Sequence, residues 1–281
     1  MKYYNLVFDE ERALYGIDSS SIEKCKFSGP ADGESALKEC SNLKVLDCFF
    51  NLRYPLWHVD KAELSNNEMT ENCRAAMWYD KDLKIKNSII NGIKAVRECR
   101  GVELIDCQIS SVEFGWMSHD LKINNCSLTS EYPFLFSRDI EIDNLKMKGK
   151  YSFQYVNNMV IKNSVLDTKD AFWHSKDVIV YDSIVKGEYL GWYSENLHFV
   201  RCKIIGTQPL CYCKNLIMEQ CEMEDTDLSF ENSEVKAEII GDILSVKNPR
   251  DGFIKADDIK EVILDEHRDK NAECEIIKKN K

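Results

Sequence analysis

A small or polar residue recurs every 19 positions along most of the chain, and this repeat constrains the fold more than any other feature. Cys107 in VELIDCQI is followed 19 residues later by Cys126 in LKINNCSL. The same step continues toward the C-terminus to Leu145, Ser164, Ser183, Cys202 and Cys221. Toward the N-terminus the column contains Ser88, Asn67, Cys48 and Cys25, where the interval from Asn67 to Ser88 is 21 residues and that from Cys25 to Cys48 is 23. A fixed period of this kind is typical of a repeat architecture, here with eleven predicted units.

Each unit alternates apolar and polar residues around this anchor, as in Val102, Leu104, Asp106, Cys107 and Ile109. Alternation with a period of two is typical of a β-strand with one buried face. Asn or Asp directly before the anchor predicts a turn, because these residues tolerate left-handed backbone and can bond neighbouring peptide groups. Stacked once per coil, they are expected to form a ladder of side-chain hydrogen bonds: Asp47, Asn66, Asn87, Asp106, Asn125, Asn144, Asn163 and Asp182.

The other half of each unit is rich in aromatic residues, as in YPLWHV, FGWMS, AFWHS and LGWYS. Aromatic and β-branched residues favour strands over helices, so two or three short strands are predicted per turn. The sequence therefore predicts an all-β fold. We expect a single-stranded parallel β-helix, or solenoid, of about eleven 19-residue coils with capped ends.

A leucine-rich repeat is the alternative fold, because its L-x-L-x-x-(N/C)-x-L core fits LKVLDCFF at residues 43–50. Two details count against it. Leucine-rich repeats have a period of about 20–29 residues, and the leucine that should precede the core by three positions is replaced here by Cys99, Ser118, Ser137, Ser175, Ser194 and Cys213. The β-helix is therefore the favoured prediction.

The segments RYPLWH, EFGW, GKYSFQY, TKDAFWH, GEYLGWYS and GTQPLCYC follow one another along the chain. In this arrangement the sequence resembles a bacterial family known as domain of unknown function number 3737, over nearly its whole length. The resemblance implies a right-handed parallel β-helix, similar in shape to the pectate lyases. It implies no catalytic residue.

The predicted boundaries follow from where the 19-residue repeat begins and where it becomes irregular. The whole chain, 1–281, is expected to be a single β-helix domain. Residues 1–19 are predicted to be an N-terminal cap, residues 20–245 the regular coils, and residues 246–281 irregular final coils with a charged tail. Caps are expected because the open ends of a β-helix must be protected from edge pairing.

Charge and the N-terminal sequence set the expected partners and location. The formal net charge is −11, and no run of Lys or Arg exceeds two residues, so no nucleic acid is expected to bind. The N-terminus MKYYNLVFDEERALYG has acidic residues where a signal peptide needs an apolar core, and no apolar stretch approaches the ~18–20 residues that span a bilayer. We therefore expect a cytoplasmic protein that does not bind membranes.

The twelve cysteines are expected to be reduced thiols, because disulfides are rare in the cytoplasm. Cys25 and Cys48, Cys107 and Cys126, and Cys202 and Cys221 occupy one column of neighbouring coils, where they are interpreted as small apolar filler of the core. A zinc site needs four convergent ligands, and the CYC stretch at 211–213 has no obvious His to complete such a set. No metal and no cofactor are predicted.

The aromatic segments, read as strands, predict two faces. One set of alternate residues, which includes Trp116, Trp173 and Trp192, is placed inside. The alternate set holds most of the ionisable groups and is placed outside, because burying an unpaired charge is costly. His58 and His174 occupy equivalent positions of this outer set, but they lie six coils apart and cannot share one site.

The outer strip of the later coils is the predicted functional site, because it combines aromatic rings with carboxylates and lysines, a mixture that suits sugars. The predicted catalytic residues are Asp170, His174 and Glu188, an acid–base set spread over neighbouring coils. The predicted ligand-binding residues are Lys150, Tyr151, Tyr155, Lys169, Tyr189, Tyr193 and Tyr212.

Two functions from different classes fit this strip. The first is binding or processing of a carbohydrate or another polar small molecule, by carboxylate pairs of the kind used in glycoside hydrolysis or by binding alone. The second is a non-catalytic scaffold whose long face binds a protein partner. The sequence is compatible with both an enzyme and a binding protein.

Overall fold

The computed structural model describes residues 1–29 and 34–279. Within these residues the fold is an all-β parallel β-solenoid of about 14 turns, in place of the eleven predicted coils. The described residues contain one helical turn, a 3-10 helix at Glu71–Cys73. The chain divides into two compact units, residues 1–146 and 147–281, which are called unit 1 and unit 2 below.

Unit 1 is built from short strands that follow one another along the chain. They are β1 (Lys2–Tyr4), β2 (Val7–Phe8), β3 (Ser21–Glu23), β4 (Lys26–Phe27), β5 (Ser41–Leu46), β6 (Phe49–Phe50), β7 (Leu56–Trp57), β8 (Asp60–Ser65), β9 (Glu68–Met69), β10 (Met77–Trp78), β11 (Lys81–Lys86), β12 (Ile89–Asn91), β13 (Arg100–Ile105), β14 (Gln108–Ser110), β15 (His119–Asn124), β16 (Ser127–Ser130) and β17 (Arg138–Asp143). Strand β18 (Lys146–Gly149) includes the point where unit 1 ends.

Unit 2 continues with the same two strands per coil and then changes its spacing. Its strands are β19 (Asn157–Lys162), β20 (Val165–Asp167), β21 (Lys176–Tyr181), β22 (Ile184–Lys186), β23 (Glu195–Val200), β24 (Lys203–Ile205), β25 (Leu216–Glu224), β26 (Glu234–Ile240), β27 (Asp242–Lys247), β28 (Asp251–Ala256), β29 (Asp258–Ile263) and β30 (Glu275–Lys278).

The 19-residue step sets the register between neighbouring strands. Strand β11 pairs in parallel with β13, so that Leu83 lies beside Val102 and Ile85 beside Leu104. All four side chains are buried, which confirms the prediction that alternate residues point inward. Their apolar surface, stacked coil upon coil, forms the core.

Side chains of the anchor column accept hydrogen bonds from backbone N–H groups of the same column. The backbone N–H of Cys48 donates to Oδ1 of Asn67 at 2.9 Å, and the N–H of Asn67 donates to Oγ of Ser88 at 3.1 Å. The N–H of Cys107 points to Sγ of Cys126 in the same way. Each small polar side chain therefore accepts a buried N–H from the coil before it, which removes the cost of leaving that donor unpaired.

The Asn/Asp column forms the predicted turns. These residues all have left-handed backbone, with φ of 55° at Asn66, 54° at Asp106 and 51° at Asn125. Their side chains form the predicted ladder within unit 1: the amide of Asn125 donates to Asp106, and Nδ2 of Asn144 donates to Oδ1 of Asn125 at 2.8 Å.

Most of the aromatic segments are turns and not strands, which corrects the prediction of a further strand there. In unit 2 every second residue of AFWHS and its flank is left-handed, with φ of 50° at Asp170, 62° at Phe172 and 53° at His174. Side chains along such a backbone do not alternate between two faces as they do on a pleated strand. Phe172, placed outside from the sequence, is fully buried, and Trp173, placed inside, is half-buried.

The additional turns lie at the two ends of the sequence pattern. Strands β1 and β2 already pair with β3 and β4, so residues of the predicted N-terminal cap take part in the solenoid. Beyond Ser233 the strands continue as far as Lys278, and β27 pairs with β29 in a register that places Asp242 beside Asp258. That step of 16 residues, in place of 19, is why the sequence pattern becomes hard to follow there.

The cysteines carry free thiols, and all except Cys274 are buried, as expected of core filler. Burial raises the pKa of Cys48 and of Cys73 to about 12, which makes these thiols poor nucleophiles. No helix in the described residues has the length and apolar character that crossing a membrane requires.

Candidate functional site

Four side chains of the predicted strip form one stack in unit 2, which we call the aromatic ladder: Tyr155, His174, Tyr193 and Tyr212. Their ring centroids are 4.9, 5.1 and 4.8 Å apart in that order, and the planes of neighbouring rings differ by 8–10°. The spacing equals that of neighbouring strands, so each coil contributes one ring. The structure therefore brings together four of the ten predicted site residues.

Left-handed backbone places these rings on the outside. Tyr155, His174, Tyr193 and Tyr212 have φ between 53° and 60°. Their backbone N–H groups donate to carbonyls of the following coil, as from His174 to Trp192 at 3.0 Å and from Tyr193 to Cys211 at 3.2 Å. These bonds hold consecutive turns in register, and the side chains consequently stack at the solvent side, where Tyr155 is 45% and Tyr193 47% exposed.

Trp173 and Trp192 form a second stack beside the ladder, with centroids 5.4 Å apart and planes at 4°. Their indole N–H groups donate to backbone carbonyls of the next coil, Tyr189 at 2.6 Å and Gln208 at 2.8 Å. Trp116 in unit 1 does the same toward Tyr132. The tryptophans thus brace successive turns, which explains why AFWHS and LGWYS look alike.

Asp170 lies away from solvent, with 7% of its surface exposed. Burial raises the pKa of its carboxyl; the ammonium of Lys169, 3.9 Å from Oδ2, lowers it in part, and the charge of Glu188 raises it further. Glu188 is exposed, and its carbonyl accepts the N–H of Asp170 at 2.9 Å. Asp170 and Glu188 are therefore joined by a backbone hydrogen bond between neighbouring coils.

The three predicted catalytic side chains have different surroundings. In the described part of the chain the ring of His174 contacts Tyr155 and Tyr193 and forms no ion pair with a carboxylate. No hydrogen bond or ion pair among those residues joins the side chains of Asp170, His174 and Glu188. An acid and a base acting on one bond need to face the same reacting atoms.

The remaining predicted residues lie where each coil enters the aromatic segment. The N–H of Tyr151 donates to the carbonyl of Lys169 at 2.8 Å. Tyr189 meets Trp192 edge to face, with centroids 5.5 Å apart. Lys150 is exposed beside Tyr151. These residues flank the ladder and do not belong to its stack.

Two charged residues at the far end of the ladder are absent from the sequence prediction. The hydroxyl of Tyr212 donates to Oε2 of Glu231 at 3.5 Å, and Nζ of Lys247 lies 2.9 Å from Oε1 of the same carboxylate. Glu231 follows Tyr212 by 19 residues, so continuing the repeat by one step would have found it. Lys247 belongs to the later coils with shorter spacing, and no sequence signal indicates it.

Unit 1 has a shorter stack of the same kind. His58 lies over Tyr79 with centroids 5.1 Å apart, and Trp57 lies over Trp78 at 5.4 Å. The ammonium of Lys38 covers the Trp57 ring at 4.2 Å from its centroid, a favourable cation–π contact. One face of the Trp57 ring is therefore already occupied by a side chain of the protein.

Residues 1–29 and 34–279 contain no group of three or more His, Cys, Asp or Glu side chains placed to hold a metal ion. The ladder itself offers ring edges and phenol hydroxyls to a ligand, and the carboxylate of Glu231 at its end is paired with Lys247.

A family model described as protein of unknown function DUF3737 matches residues 1–277. No curated protein matches the chain.

Among solved structures, the A-module of mannuronan C-5 epimerase AlgE6 from Azotobacter vinelandii has a TM-score of 0.45 at 8% identity, covering 94% of this chain and 88% of that one. The periplasmic alginate epimerase AlgG has a TM-score of 0.30 at 11% identity (94% and 78% covered), and the alginate lyase from Paenibacillus sp. str. FPU-7 has 0.31 at 8% (79% and 92%).

Proposed function

Because the chain belongs to the DUF3737 family of proteins of unknown function, its family assigns no activity, and we propose from the aromatic ladder that it binds a neutral, extended saccharide. The ligand would lie along the stack of coils, across Tyr155, His174, Tyr193 and Tyr212. The proposal is for binding without turnover.

The observation that carries the proposal is the parallel stacking of the four rings. Parallel rings about one strand spacing apart cover each other's faces, so a sugar cannot stack flat on a ring in the middle of the ladder. What faces solvent is the row of ring edges, with phenol hydroxyls and imidazole nitrogens that donate and accept hydrogen bonds. A chain of hydroxyl-bearing units fits such a row.

The spacing and charge narrow the ligand class. One polar edge recurs every 4.8–5.1 Å, close to the length of one sugar unit in an extended glycan, so successive units can repeat the same contact. The net charge of −11 disfavours anionic polymers such as polyuronates or phosphates. A neutral polysaccharide fits both conditions.

Binding is favoured over catalysis by the placement of the acid–base residues. Asp170 is nearly buried beside Lys169, Glu188 is exposed, and the His174 ring is held between two tyrosine rings. Catalysis by Asp170, His174 and Glu188 remains a prediction. If the site is catalytic, Asp170→Asn and Glu188→Gln abolish turnover while the protein stays folded; if it only binds, Tyr193→Ala weakens affinity more than either.

Isothermal titration calorimetry with cello- and malto-oligosaccharides of two to six units tests the proposal. Affinity is expected to rise with length up to four units, one for each ring. Tyr193→Phe removes one hydroxyl and is expected to weaken binding about 2- to 10-fold, the equivalent of one hydrogen bond, and Tyr193→Ala to weaken it further. Tyr181→Phe, the same change on a tyrosine of β21 outside the ladder, serves as the matched control.

The proposal is wrong if neither series binds, or if both Tyr193 variants bind as the unchanged protein does. A protein-binding scaffold is the second candidate, favoured by Met117 and Phe136, which expose 41% and 57% of their surface in unit 1. In that case Phe136→Ser, and not Tyr193→Ala, should abolish association with a partner.

A further inference from the structure

We propose that unit 1 has a second binding site, a groove of ≈440 Å³ that takes a neutral hydroxylated ligand the size of a disaccharide. This volume lies within the range of about 300–1,000 Å³ typical of small-molecule sites. The groove involves none of the residues of the ladder, and the inference does not depend on the function proposed above.

One wall of the groove is polar and regularly spaced. Asn91, Ser110 and Thr129 line it; the first two are the last residues of β12 and β14, and Thr129 is the last but one of β16. The register places Asn91 beside Ser110 and Ser110 beside Thr129, so one amide and two hydroxyls follow each other at about the 4.8 Å strand spacing. Ser110 and Thr129 are exposed. The wall thus presents both donors and acceptors to hydroxyl groups of a ligand.

The aliphatic part of the lining is held in place by hydrogen bonds to its backbone carbonyls. Ile93 and Val112 line the groove and each exposes 44% of its surface. The buried hydroxyl of Ser111 donates to the carbonyl of Ile93 at 3.2 Å, and that of Ser130 donates to the carbonyl of Val112 at 3.1 Å. Each aliphatic residue is therefore fixed by a serine of the next coil, and the wall is formed before any ligand arrives.

The part of the lining at Gly92 requires glycine. A Cβ at this position would lie 2.8 Å from the carbonyl oxygen of Arg74, and its φ of 133° disfavours any other residue. The backbone of two neighbouring coils therefore approaches closely at this part of the lining, which leaves no room for a side chain at position 92.

The charges of the groove exclude one class of ligand. Glu71 and Glu131 line it, and it contains no Lys or Arg among the described lining residues. Together with the net charge of −11, this disfavours phosphates, uronates and other anions. A sugar has C–H faces for Ile93 and Val112 and hydroxyls for Asn91, Ser110 and Thr129, and it carries no charge.

Saturation-transfer difference NMR with cellobiose, maltose and trehalose tests the groove, because the method detects weak binding of small ligands. Val112→Arg places a long side chain across the groove and is expected to reduce the signal of the bound sugar at least fivefold. Thr129→Val, which removes one hydroxyl at nearly constant volume, is expected to reduce it twofold or more. Val165→Arg is the matched control, since Val165 in unit 2 is 45% exposed. Circular dichroism verifies that each variant is folded.

The same measurement in the Tyr193→Ala background separates the two sites. If the signal persists in this background and disappears with Val112→Arg, the groove is the site. If it disappears with Tyr193→Ala and survives both groove variants, the inference is wrong while the ladder proposal stands. Absence of signal for all three disaccharides with the unchanged protein also overturns it.

Discussion

The imidazole ring of His174 lies parallel to the phenol ring of Tyr193, with centroids 5.1 Å apart and planes at 8°. Tyr155 stacks on the other side of the same imidazole at 4.9 Å. His174 is thus the inner member of a stack, and its ring faces are used for packing between coils. Only its edge is left for a ligand.

Replacing His174 separates these two uses. His174→Ala removes two stacked pairs, each worth about 0.5–1.5 kcal/mol, and is expected to lower the free energy of unfolding by about 1–3 kcal/mol. His174→Phe keeps both pairs and should restore most of that stability, although it removes the polar edge. Urea unfolding followed by circular dichroism measures the difference, and equal losses in the two variants would contradict a role for stacking.

Trp173 is expected to stabilise the turns through its indole N–H, which donates to the carbonyl of Tyr189. Trp173→Phe leaves that carbonyl without its partner and should cost about 1–3 kcal/mol. Trp57→Phe is the matched control, because the Trp57 indole N–H is buried and has no hydrogen-bond partner among the described residues. Both changes remove a similar volume, so a larger loss at Trp57 in urea unfolding would refute the bracing role.

Asp80 is expected to make unit 1 less stable as pH rises. Its carboxyl is fully buried near the thiols of Cys40 and Cys99, and Oδ1 accepts the N–H of Val59 at 2.8 Å, while Oδ2 has no hydrogen-bond partner among residues 1–29 and 34–279. Burial raises the pKa of Asp80 well above its ordinary value. Above pH ~3.9 the unfolded chain releases this proton and the folded one retains it. Stability is therefore lost as pH rises from about 4 toward the folded pKa.

Asp80→Ser tests this effect, because serine performs the same task two coils further along the same column, at Ser118. There Oγ of Ser118 accepts the N–H of Cys99 and donates to the carbonyl of Trp116, both at 3.0 Å. The variant should be more stable at pH 7 by about 1–3 kcal/mol, the cost of a buried unpaired polar group. The gain should shrink as pH falls to 4. Thermal unfolding from pH 4 to 8 measures it, and a gain that does not depend on pH would rule the explanation out.

Asn125 should tolerate glycine better than alanine, because its φ of 51° is left-handed. Such backbone costs an ordinary L-residue roughly 1–2 kcal/mol, and glycine adopts it freely. Asn124, the last residue of β15, gives the opposite control: in a strand, glycine is the more destabilising of the two by about 0.5–1 kcal/mol. Chemical unfolding of Asn125→Gly, Asn125→Ala, Asn124→Gly and Asn124→Ala measures the difference. Glycine should be the more stable variant at position 125, and alanine the more stable at position 124.

The sequence by itself determined the parallel solenoid, because a 19-residue step with alternating apolar residues can be buried only by stacking coil on coil. It also indicated the left-handed Asn and Asp turns, since Asn125 and Asp106 belong to the residue types that tolerate that backbone. The buried cysteines followed from their column, as at Cys107 and Cys126, because the repeat places that position in the core of each coil.

Only the tertiary structure decided which aromatic side chains point outward. Phe172, Trp173 and His174 are consecutive, and the period-two pattern suits a strand, yet hydrogen bonds to the coils on either side hold every second residue in left-handed backbone. Few sequence signals mark that conformation for Phe, His or Tyr, which seldom adopt it in isolation. The bonds to neighbouring coils, and not the local preference of each residue, set these dihedral angles and so place the ladder on the surface.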